Sequence, residues 1–263
     1  MKRYAMWSGG KDSSATIGLC YEMGIELDGV VMSEIMFDKK RGISAEHPLH
    51  INWVYDEGIP NIEKLGYKVI VLRGEKDYKA HFYGVIEQSK YPERIGKKHG
   101  FVMGGNRCSL KRDCKIRVID KWCKQQGEFE KIVGIAIDEE ERLAALYKEP
   151  NTRSILAERK IREIQTYGIA EKYGLLSPFY GGGYDRQGCW FCPNCSIEEF
   201  ADTARDYPEL WHELEIMAQE PDLVSPCFKY DKTFEQINKQ VCAINEIRKN
   251  QINIFDYLKE LGL

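Results

Sequence analysis

Ser8-Gly9-Gly10-Lys11-Asp12-Ser13 follows a short apolar run, Tyr4-Ala5-Met6-Trp7, that reads as a strand. Behind it, Ser14 to Met23 places Thr16, Leu19, Cys20 and Met23 near one helical face. A turn of small residues between strand and helix lets backbone approach an anion closely, because nothing projects from Gly9 or Gly10. The first amides of the following helix lack intrahelical partners and point at whatever sits there. Lys11 adds a point charge, and Ser8, Ser13 and Ser14 add hydroxyl donors. The stretch reads as a phosphate cradle, shorter than the GxxxxGK[ST] loop.

Outward from the loop, the chain alternates strands and helices. A second strand is expected around Leu27 to Met32, a loop from Phe37 to Pro48, and a helix from Leu49 to Leu65 broken near Gly58 and Pro60. Tyr67 to Leu72 reads as a third buried strand and Lys131 to Ile137 as a further one. Alternation at this spacing predicts an α/β fold, an open parallel sheet with helices on both faces. The acidic run Asp138-Glu139-Glu140-Glu141-Arg142 follows the last strand, where catalytic loops of such sheets lie. Ser154 to Tyr173 is expected as one amphipathic helix carrying Ile155, Ile161, Ile164 and Tyr167. Beyond Cys195 the pattern is helical to the end, with Cys242 inside an apolar-patterned helix and read as a core residue. We expect a nucleotide-binding α/β domain over residues 1–176, and a cysteine-motif and helical cap region over 177–263 packed on it.

With 263 residues, 43% hydrophobic and 30% charged, and a net charge of −3, the composition is that of a globular chain needing no polyanionic partner. No apolar run approaches bilayer length, and the first strand leaves no room for a signal peptide; a cytoplasmic location without membrane contact is expected. One segment departs from the balance. From Lys90 to Lys124, eleven lysines and arginines face only Glu93, Asp113 and Asp120. Its readings are a solvated face, with Ile116 and Ile119 turned inward, or a positive wall over phosphates or nucleic acid.

Nine cysteines are present, and Cys189, Cys192 and Cys195 crowd into seven residues. That spacing suits metal ligation better than structural pairing. Three thiolates need a fourth ligand from elsewhere, and Cys108 and Cys114 are the candidates. Zinc and an iron–sulfur cluster both take tetrahedral thiolates, so spacing does not choose between them.

SGGKDS resembles the PP-loop of ATP pyrophosphatases, which bind ATP and cleave it between the α and β phosphates. The chain also looks like the phosphoadenosine phosphosulfate (PAPS) reductase branch of that superfamily. The carrying residues are Arg107-Cys108 with Lys115-Ile116, then Gly134 with Glu139, Glu140 and Arg142, then Tyr180, Gly183, Arg186, Gly188, Cys189 and Cys192. These motifs keep family order over about three quarters of the chain. The resemblance implies an adenine nucleotide alpha hydrolase-like, Rossmann-like fold. It implies that Ser8, Gly9, Gly10, Lys11, Asp12 and Ser13 bind phosphate and that residues 134–142 line the nucleotide. Glu139 or Glu140 would hold nucleotide or Mg²⁺, and Lys11, Asp12 and Arg142 would act in catalysis. Asp12 would aid magnesium or cap the helix. Cluster-bearing relatives hold [4Fe-4S] with cysteines of the middle and late motifs, here Cys108, Cys189, Cys192 and Cys195, with Cys114 in reserve and zinc the alternative.

Two departures weigh against plain sulfonucleotide reduction. The tail from Ala243 carries no cysteine, and Lys11 is present where reductases often lack the lysine. The expected function is therefore an ATP-dependent enzyme that releases pyrophosphate and supports sulfur transfer to an unidentified acceptor, nucleic acid among the candidates. The partners would be an adenine nucleotide, a nucleic acid or sulfur-donor protein, and further copies of the chain. Alternatives are a sulfite-producing reductase using Cys227 or Cys242, and a non-catalytic nucleotide- or nucleic-acid-binding defence component.

Overall fold

The computed structural model of the protein describes residues 1–102, 108–182, 184 and 187–260, the last ten as backbone. Arg107, Gly183 and Arg186, all in the motifs above, lie outside the described residues. The chain divides into two compact units, residues 1–77 with 111–188 and residues 78–110 with 189–263.

The first unit is built on a five-stranded sheet. Its strands are β1 (Lys2–Trp7), β2 (Gly29–Glu34), β3 (Val69–Arg73), β4 (Phe129–Ile132) and β5 (Thr152–Arg153). They lie in the order β3-β2-β1-β4-β5, every pair parallel. β2 is buried along its whole length, as a strand covered on both faces must be. From β1 the chain winds outward to β2 and β3, then returns across β1 to lay down β4 and β5. Because parallel crossovers are right-handed, that reversal puts helices on both faces and makes β1 the switch strand. The architecture is an open, Rossmann-like parallel sheet.

Helix α1 (Lys11–Glu22) connects β1 to β2 and is buried from Ser13 through Cys20. Its small residues, Ser13, Ser14, Ala15, Thr16 and Gly18, bring the helix axis close to the sheet. Ile17 and Leu19 join Ala5, Trp7, Val30 and Met32 in the main core. The second connection is helical throughout, Pro48–Trp53, a wider-wound turn Val54–Gly58, then Ile59–Lys64; the break expected near Gly58 and Pro60 is a local widening, with Gly58 at φ −58° and ψ −54°.

Three sequence expectations need correction. The expected helix from Ser154 to Tyr173 is three pieces, Ile155–Glu158, Glu163–Gln165 and Thr166–Lys172, parted at Lys160 with φ +57°. The apolar period runs on across the break, but Ile164, counted on the inward face, is 73% exposed. In the basic segment, Lys111–Ile116 winds wider than an α-helix before Arg117–Lys124. That shifts the inward face onto Cys114 and Cys123 and turns Ile116 outward. The strand predicted over Lys131 to Ile137 stops at Ile132, where the chain turns to pass under α1.

The second unit holds an aromatic core. Phe82 packs edge-on against Phe101 at 5.0 Å, Phe101 against Phe228 at 5.3 Å, and Phe228 lies 5.1 Å from Phe200. Strand Lys98–Gly100 pairs in parallel with Leu223–Ser225. Helix Ile197–Asp206 starts in a capping box formed by Ser196 and Glu199, and Pro208–Ala218 and Phe234–Glu260 follow. The cysteine-bearing C-terminal segment is thus helical as expected, but Cys242 is exposed and is not a core residue. A helix patterned for burial on one side still presents its other side to water. No helix of the described residues is long and apolar enough to cross a membrane.

Candidate functional site

The loop after β1 lies at the carboxyl end of the switch strand, where ligands of open α/β sheets bind. Gly9 has φ +75°, and a Cβ there would stand 2.5 Å from the His50 ring. Both the backbone conformation and the lack of space call for glycine. Gly10 is the N-cap of α1 and supplies no side-chain cap. Ser8 and Ser13 close the turn on themselves: Ser8 N donates to Ser13 Oγ at 3.2 Å, and Ser13 Oγ donates to the Gly10 carbonyl at 2.9 Å. Just past β4, a Cβ on Gly134 would meet the backbone of Asp12 and Ser13 at 2.6 Å. The first turn of α1 is therefore wedged against bare main chain.

His50 and Gln187, which the sequence did not single out for this role, support the loop from behind. Gln187 Nε2 donates to the Gly9 carbonyl at 2.8 Å and to His50 Nδ1 at 3.2 Å. An amide nitrogen only donates, so Nδ1 accepts, and Nε2 carries the proton that reaches the Ser8 carbonyl at 3.3 Å. Burial pushes the His50 pKa below the ordinary histidine value. The unfolded chain therefore binds this proton more readily than the folded one. Stability is full above about pH 6.5 and falls as pH drops from there through the lowered folded value. Urea midpoints taken between pH 7 and 5 should fall for the natural protein, and fall less for His50→Gln, which has nothing to titrate there.

Lys11 is 5% exposed, and its Nζ donates to Asp12 Oδ1 at 2.8 Å and Glu163 Oε1 at 2.7 Å, lying 5.3 Å from the Tyr167 ring centroid. Burial alone would lower its pKa. The hydrogen bonds to Asp12 and Glu163 outweigh that and raise it, so the ammonium is charged at neutral pH. Asp12 does not cap the helix; its carboxylate also accepts from Thr166 Oγ1 at 2.8 Å. The Lys11 amide donates to the Tyr180 hydroxyl at 3.1 Å. Burial raises the Tyr180 pKa, so that hydroxyl keeps its proton and can turn it toward a bound oxygen. Of these partners Asp12 and Tyr180 belonged to sequence motifs. Glu163 and Thr166 come from the broken helix and carry no local signal.

Glu139 and Arg142 pair with each other over one turn, and Glu139 Oε2 also accepts from Ala136 N at 3.0 Å. Glu140 is exposed beside them in the first turn of Glu140–Leu146. What residues beyond β4 bring to the loop is Gly134 and, by way of Glu163, Asp138. Asp138 Oδ1 accepts from Glu163 N at 2.9 Å, and that hydrogen bond holds its pKa below the usual carboxylate value.

The metal expectation is overturned. Among the described residues, no group of three or more His, Cys, Asp or Glu comes together to hold a metal ion. This removes the [4Fe-4S] cluster, the zinc alternative and the ligand set Cys108, Cys189, Cys192, Cys195. Two successive turns order the late cysteines, Cys192 N to the Cys189 carbonyl and Cys195 N to the Cys192 carbonyl, each at 2.9 Å. The Cys195 thiol donates to the Cys189 carbonyl, and Lys229 Nζ binds the Pro193 and Cys195 carbonyls at 2.7 and 2.6 Å. Trp190 and Phe191, which lie between the first two of these cysteines, are core residues of the second unit, and Phe191 stacks on Tyr78 at 4.2 Å. Cys114, the reserve ligand, belongs to the first unit, where its thiol donates to the Lys76 carbonyl. All nine cysteines are outside disulfides.

The basic segment finds acidic partners within its own units. Asp113 pairs with Arg112 and Arg117, Glu75 with Lys121, Glu46 with Lys115, and Glu220 with Lys98.

No family model and no solved structure matches the chain. The chain is 24% identical over 226 residues to a protein of Methanocaldococcus jannaschii described as uncharacterized protein MJ0066, with 81% of this chain aligned. The aligned part spans 41% of that protein's length. The fold itself is of the general Rossmann-like kind that nucleotide-binding α/β enzymes use.

Proposed function

We propose that the chain is a PP-loop protein of the PAPS reductase-like kind, which binds an adenine nucleotide over Ser8–Ser13 and splits ATP to release pyrophosphate. The observation supporting this is the uncapped start of α1 at the carboxyl end of the switch strand, with a buried ammonium beside it. There an acceptor oxygen attacks the α-phosphorus, the bond to the bridging oxygen breaks, and the charge that grows on the leaving pyrophosphate meets the loop amides and Lys11. Tyr180 donates its hydroxyl proton to a phosphate oxygen, and Arg142, exposed at the same end of the sheet, reaches outer phosphate. A sulfur nucleophile from a donor then attacks the adenylated acceptor, the bond from the acceptor to the adenylate oxygen breaks, and AMP leaves. Calorimetric titration with ATP in magnesium-containing buffer, paired with pyrophosphate release across candidate acceptors, tests the reading. Binding together with acceptor-dependent pyrophosphate supports it, and a folded preparation with no affinity for any adenine nucleotide ends it.

The exposed thiol of Cys242 favours a second reading, a sulfonucleotide reductase. Sulfite release that needs a thiol reductant and is lost in Cys242→Ser would replace the first.

A further inference from the structure

The charges around the loop do not favour an anion as they stand. Lys11 and Arg162 are positive, while Asp12, Asp138 and Glu163 are negative, and all five are joined. Lys11 bridges Asp12 and Glu163, Asp138 accepts from the Glu163 amide, and Arg162 lies 3.5 Å from Asp138. The sum is one net negative charge beside a loop shaped for phosphate. The three carboxylates differ in freedom. Asp12 is tied to Thr166 within the first turn of α1, and Asp138 to the amide of Glu163. The Glu163 side chain is 54% exposed and stands on a short 3-10 turn after the break at Lys160.

We infer that Glu163 is a counter-ion latch: it holds the Lys11 ammonium in the anion-free protein and yields it to an incoming polyphosphate. This rests on the phosphate-binding reading of the loop. A carboxylate that must be displaced imposes the same cost on every anion that takes Lys11, and no cost on one that binds without it. Glu163 thus sets a threshold that an anion must exceed to engage Lys11, and it speeds product departure by reclaiming the ammonium. It acts through Lys11 and is a positioning residue.

The test compares the natural protein, Glu163→Gln and Glu163→Asp by calorimetry with inorganic pyrophosphate, ATP and AMP, after thermal melting establishes that all three fold. Removing the competing charge should tighten pyrophosphate and ATP about tenfold, within the usual range of coupling between two binding events. AMP should tighten by no more than ATP does, so discrimination against AMP should not narrow, and Glu163→Asp should restore the natural affinities. In turnover Glu163→Gln should lower KM and kcat together, since tighter product leaves more slowly. Binding by Glu163→Gln that is equal to or weaker than the natural protein's overturns the latch and leaves the phosphate reading standing. Binding by none of the three overturns both. Binding by Glu163→Gln alone supports both.

Discussion

Gly134→Ala should destabilise the protein by about 3 kcal/mol and weaken ATP binding about a hundredfold. The added Cβ would meet the Asp12 carbonyl carbon and the Ser13 amide nitrogen at 2.6 Å. Both atoms are main chain at the start of α1, so no side chain can rotate aside. Either the segment beyond β4 or the first turn of α1 has to move. A shift of that turn carries the Gly9-Gly10 amides and Lys11 away from the phosphate position. Urea denaturation measures the first effect and calorimetry with ATP the second. Gly168→Ala is the control, because it lies in helix Thr166–Lys172 and its Cβ meets nothing within 4 Å. It should be neutral or slightly stabilising. A Gly134→Ala variant as stable as the control would show that the close approach under α1 is not tight in solution.

Lys11→Met should reduce acceptor-dependent pyrophosphate release by about two to three orders of magnitude, the usual cost of losing one donor to developing transition-state charge. Methionine keeps the aliphatic stem packed near Tyr167 and removes only the ammonium. Asp12 and Glu163 would then face one another without the cation between them, so binding should fall as well as turnover. The double variant Lys11→Met with Glu163→Gln separates the two causes. Removing the second carboxylate's charge should recover part of the ATP affinity and none of the rate. If the single variant turns over as the natural protein does, Lys11 has no part in the reaction, and its ion pairs with Asp12 and Glu163 are structural.

The loop was legible because everything it needs is local. A strand, small residues with one glycine at positive φ, and a helix lacking a cap are written within twenty residues. The parallel sheet was legible for a similar reason, since buried strands such as Val30 to Met32 are continuous apolar runs between helices. Partners brought from far along the chain were not. His50, Gln187, Glu163 and Thr166 reach the loop from 40 to 180 residues away, and each is an ordinary polar residue in its own neighbourhood. The break at Lys160 left no glycine or proline to mark it, so an unbroken apolar period concealed the turn that delivers Glu163. The cysteine spacing misled in the opposite sense. Cys-x-x-Cys-x-x-Cys favours ligation only if its thiols converge. Here burial of Trp190 and Phe191 and the hydrogen-bonded turns set the local geometry instead.

The interleaving of the two units also bears on how the chain matures during synthesis. Tyr78 leaves the ribosome early, yet the ring it stacks on, Phe191, is made more than a hundred residues later, and Phe101 likewise waits for Phe228. At about 5–20 residues per second, translation of the intervening stretch takes roughly ten seconds. For that interval the aromatic segment of the second unit lacks its late partners, and its apolar rings stay open to non-native contacts even after the last strand of the sheet, Thr152–Arg153, has been made.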